Sequence, residues 1–522
     1  MKIHKQWGLF SLVMALLLAV TGCAQTTPSP STTPANSAIS ATTASVSSST
    51  GIKPTTFSLP EVLQQDMNPL TTTCMVNLSL WPLMYDALVQ PDSTFTPHLG
   101  LASSIANTGT TVTVHLRTGV KFSDGSALTA SDVVSSYNVV KNTPSSFFFA
   151  NLSNIVSITA PDNRTVVFTM GTANALEENV LNIPIVKSRG NGSAVNVPPL
   201  GTGAYTYSTN QFNSTLTLNK NWYGGGKFNF QTISLVNMHS TDAILSSLNI
   251  GEVNYLFTDY GNGAQSTANL ATKSVDLNRM VFMGTNSAHA LLADAHVRNA
   301  ISLAIDRNSL SSNAFSSQAI STNLPYNPDW AGGTKLVKSD LTSQTSKAQT
   351  ELKTAGFTTQ NTAGVITKAN GATPLQLTLL VCSDDAQMSA AANQIRLSLT
   401  KAGIGVAINS QPSAAYQAAL QAGNYDLYLG SISLTSDMNL SPLLASGGAA
   451  SYGVPANSNT LNAFNSWRAG GDVSALTNAF LNETPFIPIC FKTGTVAFTS
   501  GLSGSITPTM QNIFYGIADW HY

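Results

Sequence analysis

The residues with the widest chemistry in this 522-residue chain are four cysteines, Cys23, Cys74, Cys382 and Cys490, and seven histidines. No two cysteines stand at a CxxC spacing, so neither a zinc ribbon nor a redox pair is indicated. His289 and His296 lie seven residues apart with Asp294 between them. Ligand pairs on a helix normally sit at i and i+4, so no metal site is expected. The chain contains no HExxH, no GxSxG and no GxxxxGK(S/T). Gly224-Gly225-Gly226-Lys227 reads as a turn, because Asn221 stands where a phosphate loop needs glycine and Phe228 follows the lysine. A hydrolase needs a nucleophile and a base within reach of each other, and no such set can be assembled. Neither enzymatic activity nor a cofactor is expected, and a secreted hydrolase stands only as an alternative. Cys74, Cys382 and Cys490 read as small buried hydrophobes.

Cys23 differs because of what precedes it. Lys2 and Lys5 form a short positive segment, and an apolar run from Leu9 to Val20 follows, broken only by Ser11. A bilayer span needs about 20 apolar residues, so this run has the length of a secretory h-region instead. Val20-Thr21-Gly22-Cys23 resembles the lipobox of bacterial lipoproteins. Small residues permit cleavage there, and the thiol takes a diacylglyceryl group. Residues 1–22 are then a signal peptide and Cys23 the lipidated start of the mature chain. Two acyl chains anchor stably where one does not, so a lipid tether without a transmembrane helix is expected. Residues 24–50 hold fifteen Ser or Thr, three Pro and no charged or aromatic residue. Such a segment cannot bury enough apolar surface to offset its ordering entropy. Residues 23–54 therefore read as the lipidated cysteine and a flexible linker. A leash of this length favours a Gram-positive cell, with the protein on the outer face of the cytoplasmic membrane.

The rest is too long for one hydrophobic core, since single cores stop growing at about 250–300 residues. Hydrophobic residues make up 43% of the chain and charged residues only 9%, against about 25% in an ordinary soluble domain. A net charge of −1 gives no field to gather nucleic acid, which is not expected as a partner.

The elements that must position any site can be read from periodicity. A helical pattern covers Leu80 to Leu88. Val112, Val114 and Leu116 alternate with Thr111, Thr113 and His115, a half-buried strand. Thr129-Ala130-Ser131-Asp132 has the form of a capped helix start, continued by Val133, Val134, Tyr137 and Val140. Val156 and Ile158, then Val166 and Phe168, flank a turn at Pro161–Arg164. Asp294 can cap a helix whose Val297, Ala300, Ile301, Ala304 and Ile305 share one face. Beyond Pro374, Leu375 to Val381, Ile404 to Ile408 and Tyr425 to Leu429 read as strands. Between them lie helices carrying Met388 to Leu399 and Tyr416 to Leu420, ending at Gly403 and Gly423. This is βαβαβ, a parallel sheet with helices on its faces.

Several of these segments are similar to the signature of family 5 extracellular solute-binding proteins. They include Tyr85-Asp86-Ala87-Leu88-Val89, Leu116-Arg117-Thr118-Gly119-Val120-Lys121-Phe122-Ser123-Asp124-Gly125 and Thr129-Ala130-Ser131-Asp132-Val133. Gly201-Thr202-Gly203-Ala204-Tyr205, Gly251-Glu252-Val253-Asn254 and Val297-Arg298 to Ala304-Ile305-Asp306-Arg307 follow in the family's order. Leu128, Ala204 and Asn254 depart from its usual Phe, Pro and Asp. The resemblance implies a two-lobed α/β periplasmic-binding fold of the large peptide-binding type, with a hinge and a central cleft. The lobes would comprise 55–287 with 486–522, carrying an inserted subdomain at about 95–200, and 288–485. It implies a monomeric receptor that hands a peptide, a nickel complex or another small solute to an ABC permease. A sensor of the same fold is the second alternative.

Open α/β sheets bind ligands beyond the carboxyl ends of their strands. A strand ending at Leu429 puts Gly430 to Asp437 at the cleft, with Ser431, Ser433 and Asp437 as candidate contacts. The resemblance implies an aspartate in this loop pairing with a peptide's α-ammonium. Leu434 stands at that position, and Asp437, the loop's one acid, comes three residues later. On the first lobe the resemblance implies a ligand-facing loop at Thr72 to Asn77, and hence Thr73, Cys74 and Met75. Tyr260 and Tyr428 are candidate aromatic walls.

Overall fold

The computed structural model describes residues 56–187, 197–210, 213–259, 270–333, 336, 340–369, 373–454 and 458–522. The signal peptide, Cys23, the linker and Tyr260 lie outside the described residues.

The first lobe is built on two sheets. Phe57–Glu61 runs parallel to Thr232–Asn237, and Ser214–Leu218 and Tyr205–Thr209 continue that sheet antiparallel. The second sheet is antiparallel, in the order Ala102–Asn107, Thr111–Leu116, Thr165–Met170, Ile155–Thr159. The expected alternation holds, with Val112, Val114 and Leu116 buried. The helix Ala130–Lys141 covers this sheet with Val133, Tyr137 and Val140, and Thr129 and Asp132 form a reciprocal capping box. The helix expected over Leu80 to Leu88 is shorter. Helices span Met75–Ser79 and Trp81–Met84, and Tyr85 is already extended. The cause is packing: Gly203 N donates to the Met84 carbonyl and Ile185 N to the Asp86 carbonyl, so the chain after Met84 is held by tertiary partners. Gly201 and Gly203 lie so close that a Cβ on Gly203 would stand 2.4 Å from the Met84 carbonyl carbon. Thr202 Oγ1 donates to Asp86 Oδ2 at 2.8 Å, and burial raises that carboxyl's pKa to about 6.

In the second lobe, Gln376–Cys382 lies between Gly405–Gln411 and Leu427–Ser433, and both pairings are parallel. The helices Ala386–Lys401 and Ser413–Ala422 connect them. Gly423, in the left-handed region at φ 70°, closes the second helix. Two expectations need correction. The third strand does not end at Leu429 but runs to Ser433, because it pairs with a long neighbour. The sheet is mixed rather than wholly parallel, because that neighbour, Leu270–Thr285, is antiparallel.

Leu270–Thr285 and Phe486–Thr499 pair with each other along most of their length and carry the chain between lobes. We call them the first and second crossover strands. Val275, Val496 and Phe498 belong to the first-lobe core, whereas Met280, Val281, Cys490 and Phe491 belong to the second-lobe cores. The ladder is interrupted between Asp276 and Arg279. Asn278 sits in that interruption at φ 48°, and its side-chain amide donates to the carbonyls of Leu434 and Thr435.

Candidate functional site

The two crossover strands connect the lobes, and each lobe carries part of the expected set of contacts. From the first lobe come Thr73, Cys74 and Met75, the lead-in and first residue of the helix Met75–Ser79. Thr73 and Met75 are exposed and Cys74 is half-buried. Cys74 N donates to Thr72 Oγ1, which fixes the turn. Met75 lines a shallow recess of about 20 Å³ with Trp81, Phe147, Phe257, Met510 and Gln511. No charged side chain lines it. Gln511 Nε2 also donates to Ser436 Oγ at 3.2 Å, which brings the recess beside the second lobe's loop.

From the second lobe come Ser431 and Ser433, both exposed on the extended third strand. They stand directly opposite Val281 and Arg279. Arg279 Nη1 donates to Asp259 Oδ2 at 2.7 Å, with both side chains about one-third exposed. Sequence reasoning missed this pair, because Asp259 lies just past the strand Tyr255–Thr258 and Arg279 is 20 residues further along on a different strand.

Tyr428 and Asp437 are placed differently from the serines. Tyr428 is 2% exposed, packs edge-on against Phe282, Tyr425 and Tyr452 and lies against Gly284. Its hydroxyl donates to the Ala450 carbonyl. Asp437 is also 2% exposed. Its carboxylate accepts from Arg468 Nη1 at 2.5 Å, from Thr435 Oγ1 and from Asn174 Nδ2. Leu434 is buried in the second-lobe core.

The Asn174 contact ties the lobes together on one side. Ala175 N donates to the Arg468 carbonyl, and Asn179 Nδ2 to the carbonyls of Phe95 and Ser436. Glu177, buried beside them, accepts from Asn174 and Asn154 through Oε2. Burial raises its pKa, and the negative charge of Asp437 adds to the effect.

Among the described residues no group of three or more His, Cys, Asp or Glu could hold a metal ion. No described helix is long and apolar enough to cross a membrane. Cys490 is buried and its thiol's pKa is pushed up to about 12 by that burial. The geometry offers exposed serines beside an ion pair on the first crossover strand and its neighbour, and an uncharged shallow recess on the first lobe.

The family model for bacterial extracellular solute-binding proteins, family 5 middle, matches residues 95–451. The oligopeptide-binding protein AppA of Bacillus subtilis is 23% identical over 385 residues, covering 69% of this chain and 68% of its own. Among solved structures, the ABC transporter substrate-binding protein CtaP of Listeria monocytogenes matches with a TM-score of 0.67 at 20% identity, covering 89% of this chain and 97% of CtaP. NikZ of Campylobacter jejuni, in complex with Ni(L-His), matches with a TM-score of 0.61 at 18% identity, covering 90% of this chain and 99% of NikZ. The structural likenesses show a shared fold.

Proposed function

The chain belongs to the bacterial extracellular solute-binding proteins of family 5, and from that premise we propose that it captures a peptide or peptide-like solute between its lobes for an ABC permease. The observation that supports this most is the double crossing. Two separate sets of core residues are joined by the paired strands Leu270–Thr285 and Phe486–Thr499. A ligand that touches both lobes selects the closed arrangement, because it gains contacts only there.

In this reading Thr73, Cys74 and Met75 face the ligand from the first lobe and Ser431 and Ser433 from the second. Tyr260 is proposed as a further wall. Tyr428 and Asp437 support the cleft from behind, since their polar atoms are already taken. Cys23 carries the lipid, which holds the receptor at the outer face of the membrane.

Mass spectrometry of solutes co-purifying with the full-length chain tests the ligand. A bound peptide that raises the melting temperature when added back is the expected result, and a broad peptide screen without any shift would sink the reading. The anchor is tested separately: Cys23→Ala should move the protein from the membrane to the soluble fraction.

A further inference from the structure

On one face of the second crossover strand, alternate side chains lead from the second-lobe core to the first-lobe core. Cys490 packs in the second and Val496 and Phe498 in the first. Side chains two apart on a strand share a face, so Lys492 and Gly494 occupy the gap between the two cores. Lys492 lies directly opposite Arg279 on the first crossover and Ala319 on its other side, and Arg279 lies opposite Ser433. Four strands therefore set Ser433, Arg279, Lys492 and Ala319 in a row across the sheet.

Lys492 is only 6% exposed. Among the described residues it makes no side-chain hydrogen bond and no ion pair. The stem is buried while the Nζ keeps access to solvent, the usual arrangement of a lysine at an apolar surface. Its neighbours supply no countercharge. Arg279 is a like charge placed directly opposite, an unfavourable pairing. Asp259 neutralises Arg279 and lies beyond ion-pair distance of Lys492. The Cys490 thiol on the same face stays protonated, because burial holds its pKa at about 12. Among the described residues, the Lys492 ammonium is thus left without a countercharge between the lobes.

We propose that Lys492, flanked by Arg279 and Ser433, is an anion-binding point on the cleft floor that takes a carboxylate of the bound solute. This rests on the receptor reading above and narrows it to ligands carrying an anionic group. The group is either a peptide's C-terminal carboxylate or an acidic side chain. The repulsion between Lys492 and Arg279 is borne by the ligand-free protein and relieved when an anion binds, a trade of stability for function.

The experiment uses the full-length chain and a pool of tri- to octapeptides, prepared both as free acids and as C-terminal amides, with and without Asp or Glu. Native mass spectrometry reads what each protein retains. The wild type should retain anionic peptides at least tenfold over matched neutral amides. Lys492→Met should abolish that preference, and Lys492→Arg should keep it. Preference for free acids assigns the C-terminus, and preference for Asp- or Glu-containing amides assigns the side chain. Equal retention of anionic and neutral peptides by the wild type overturns the anion site and leaves the receptor reading intact. Retention of nothing overturns the peptide reading, and the site is then judged on ligand-free melting. Lys492→Met melting above wild type supports an uncompensated charge awaiting its anion; melting below it identifies a structural lysine and refutes the proposal.

Discussion

Asp437 looked from its loop position like a group for the ligand, yet its carboxylate is held by Arg468, Thr435 and Asn174 in a site where both ion-pair partners are more than nine-tenths buried. Removing one member of a buried pair strands the other charge. Arg468→Met should therefore cost about 3–5 kcal/mol, read as a lower urea midpoint. Adding Asp437→Asn to that variant should recover part of the loss, because no charge is then left alone. The loop's acid was legible in the sequence, but its partner was not, since Arg468 lies 31 residues further along the chain. Lys492 was equally hidden: lysine is ordinarily a surface residue, and only the ladder places it between two cores.

The elements divide in the same way. Period-2 alternation in Thr111–Leu116 and the Thr129 to Asp132 cap are local signals, and the structure follows both. The two crossover strands carry no such signal: the interruption at Asp276 to Arg279 breaks the alternation of the first, and the second is buried on both faces along most of its length. The third strand of the second lobe was read short, since Gly430, Ser431 and Ser433 interrupt its apolar run while long-range pairing extends it. Leu83 and Met84 suggested a longer helix, but the backbone beyond them is claimed by Gly203 and its neighbours. That contact makes a clear prediction. A methyl group on Gly203 would meet the Met84 and Tyr85 backbone at 2.4–2.7 Å. Gly203→Ala should then destabilise the first lobe by about 1–3 kcal/mol, a typical overpacking cost, measurable as a drop in melting temperature.

At the scale of the molecule, closure and stability are linked. A solute bound by the folded chain and not the unfolded one, supplied at a hundredfold excess over its Kd, should add about 2.7 kcal/mol to the unfolding free energy. The radius of gyration from small-angle scattering should fall with the same titration, and an unchanged radius would separate binding from closure. The path of the chain carries one more consequence. Phe57 meets Trp520 with ring centroids 6.2 Å apart, so the first-lobe core is sewn from both ends of the described sequence. The second-lobe core residues from Met280 to Phe491 are instead contiguous, apart from Phe95. Domains fold as units while the chain is being made. The lobe that begins first must therefore finish last, waiting as an incomplete shell until Trp520 arrives, while the later lobe has all its strands in hand.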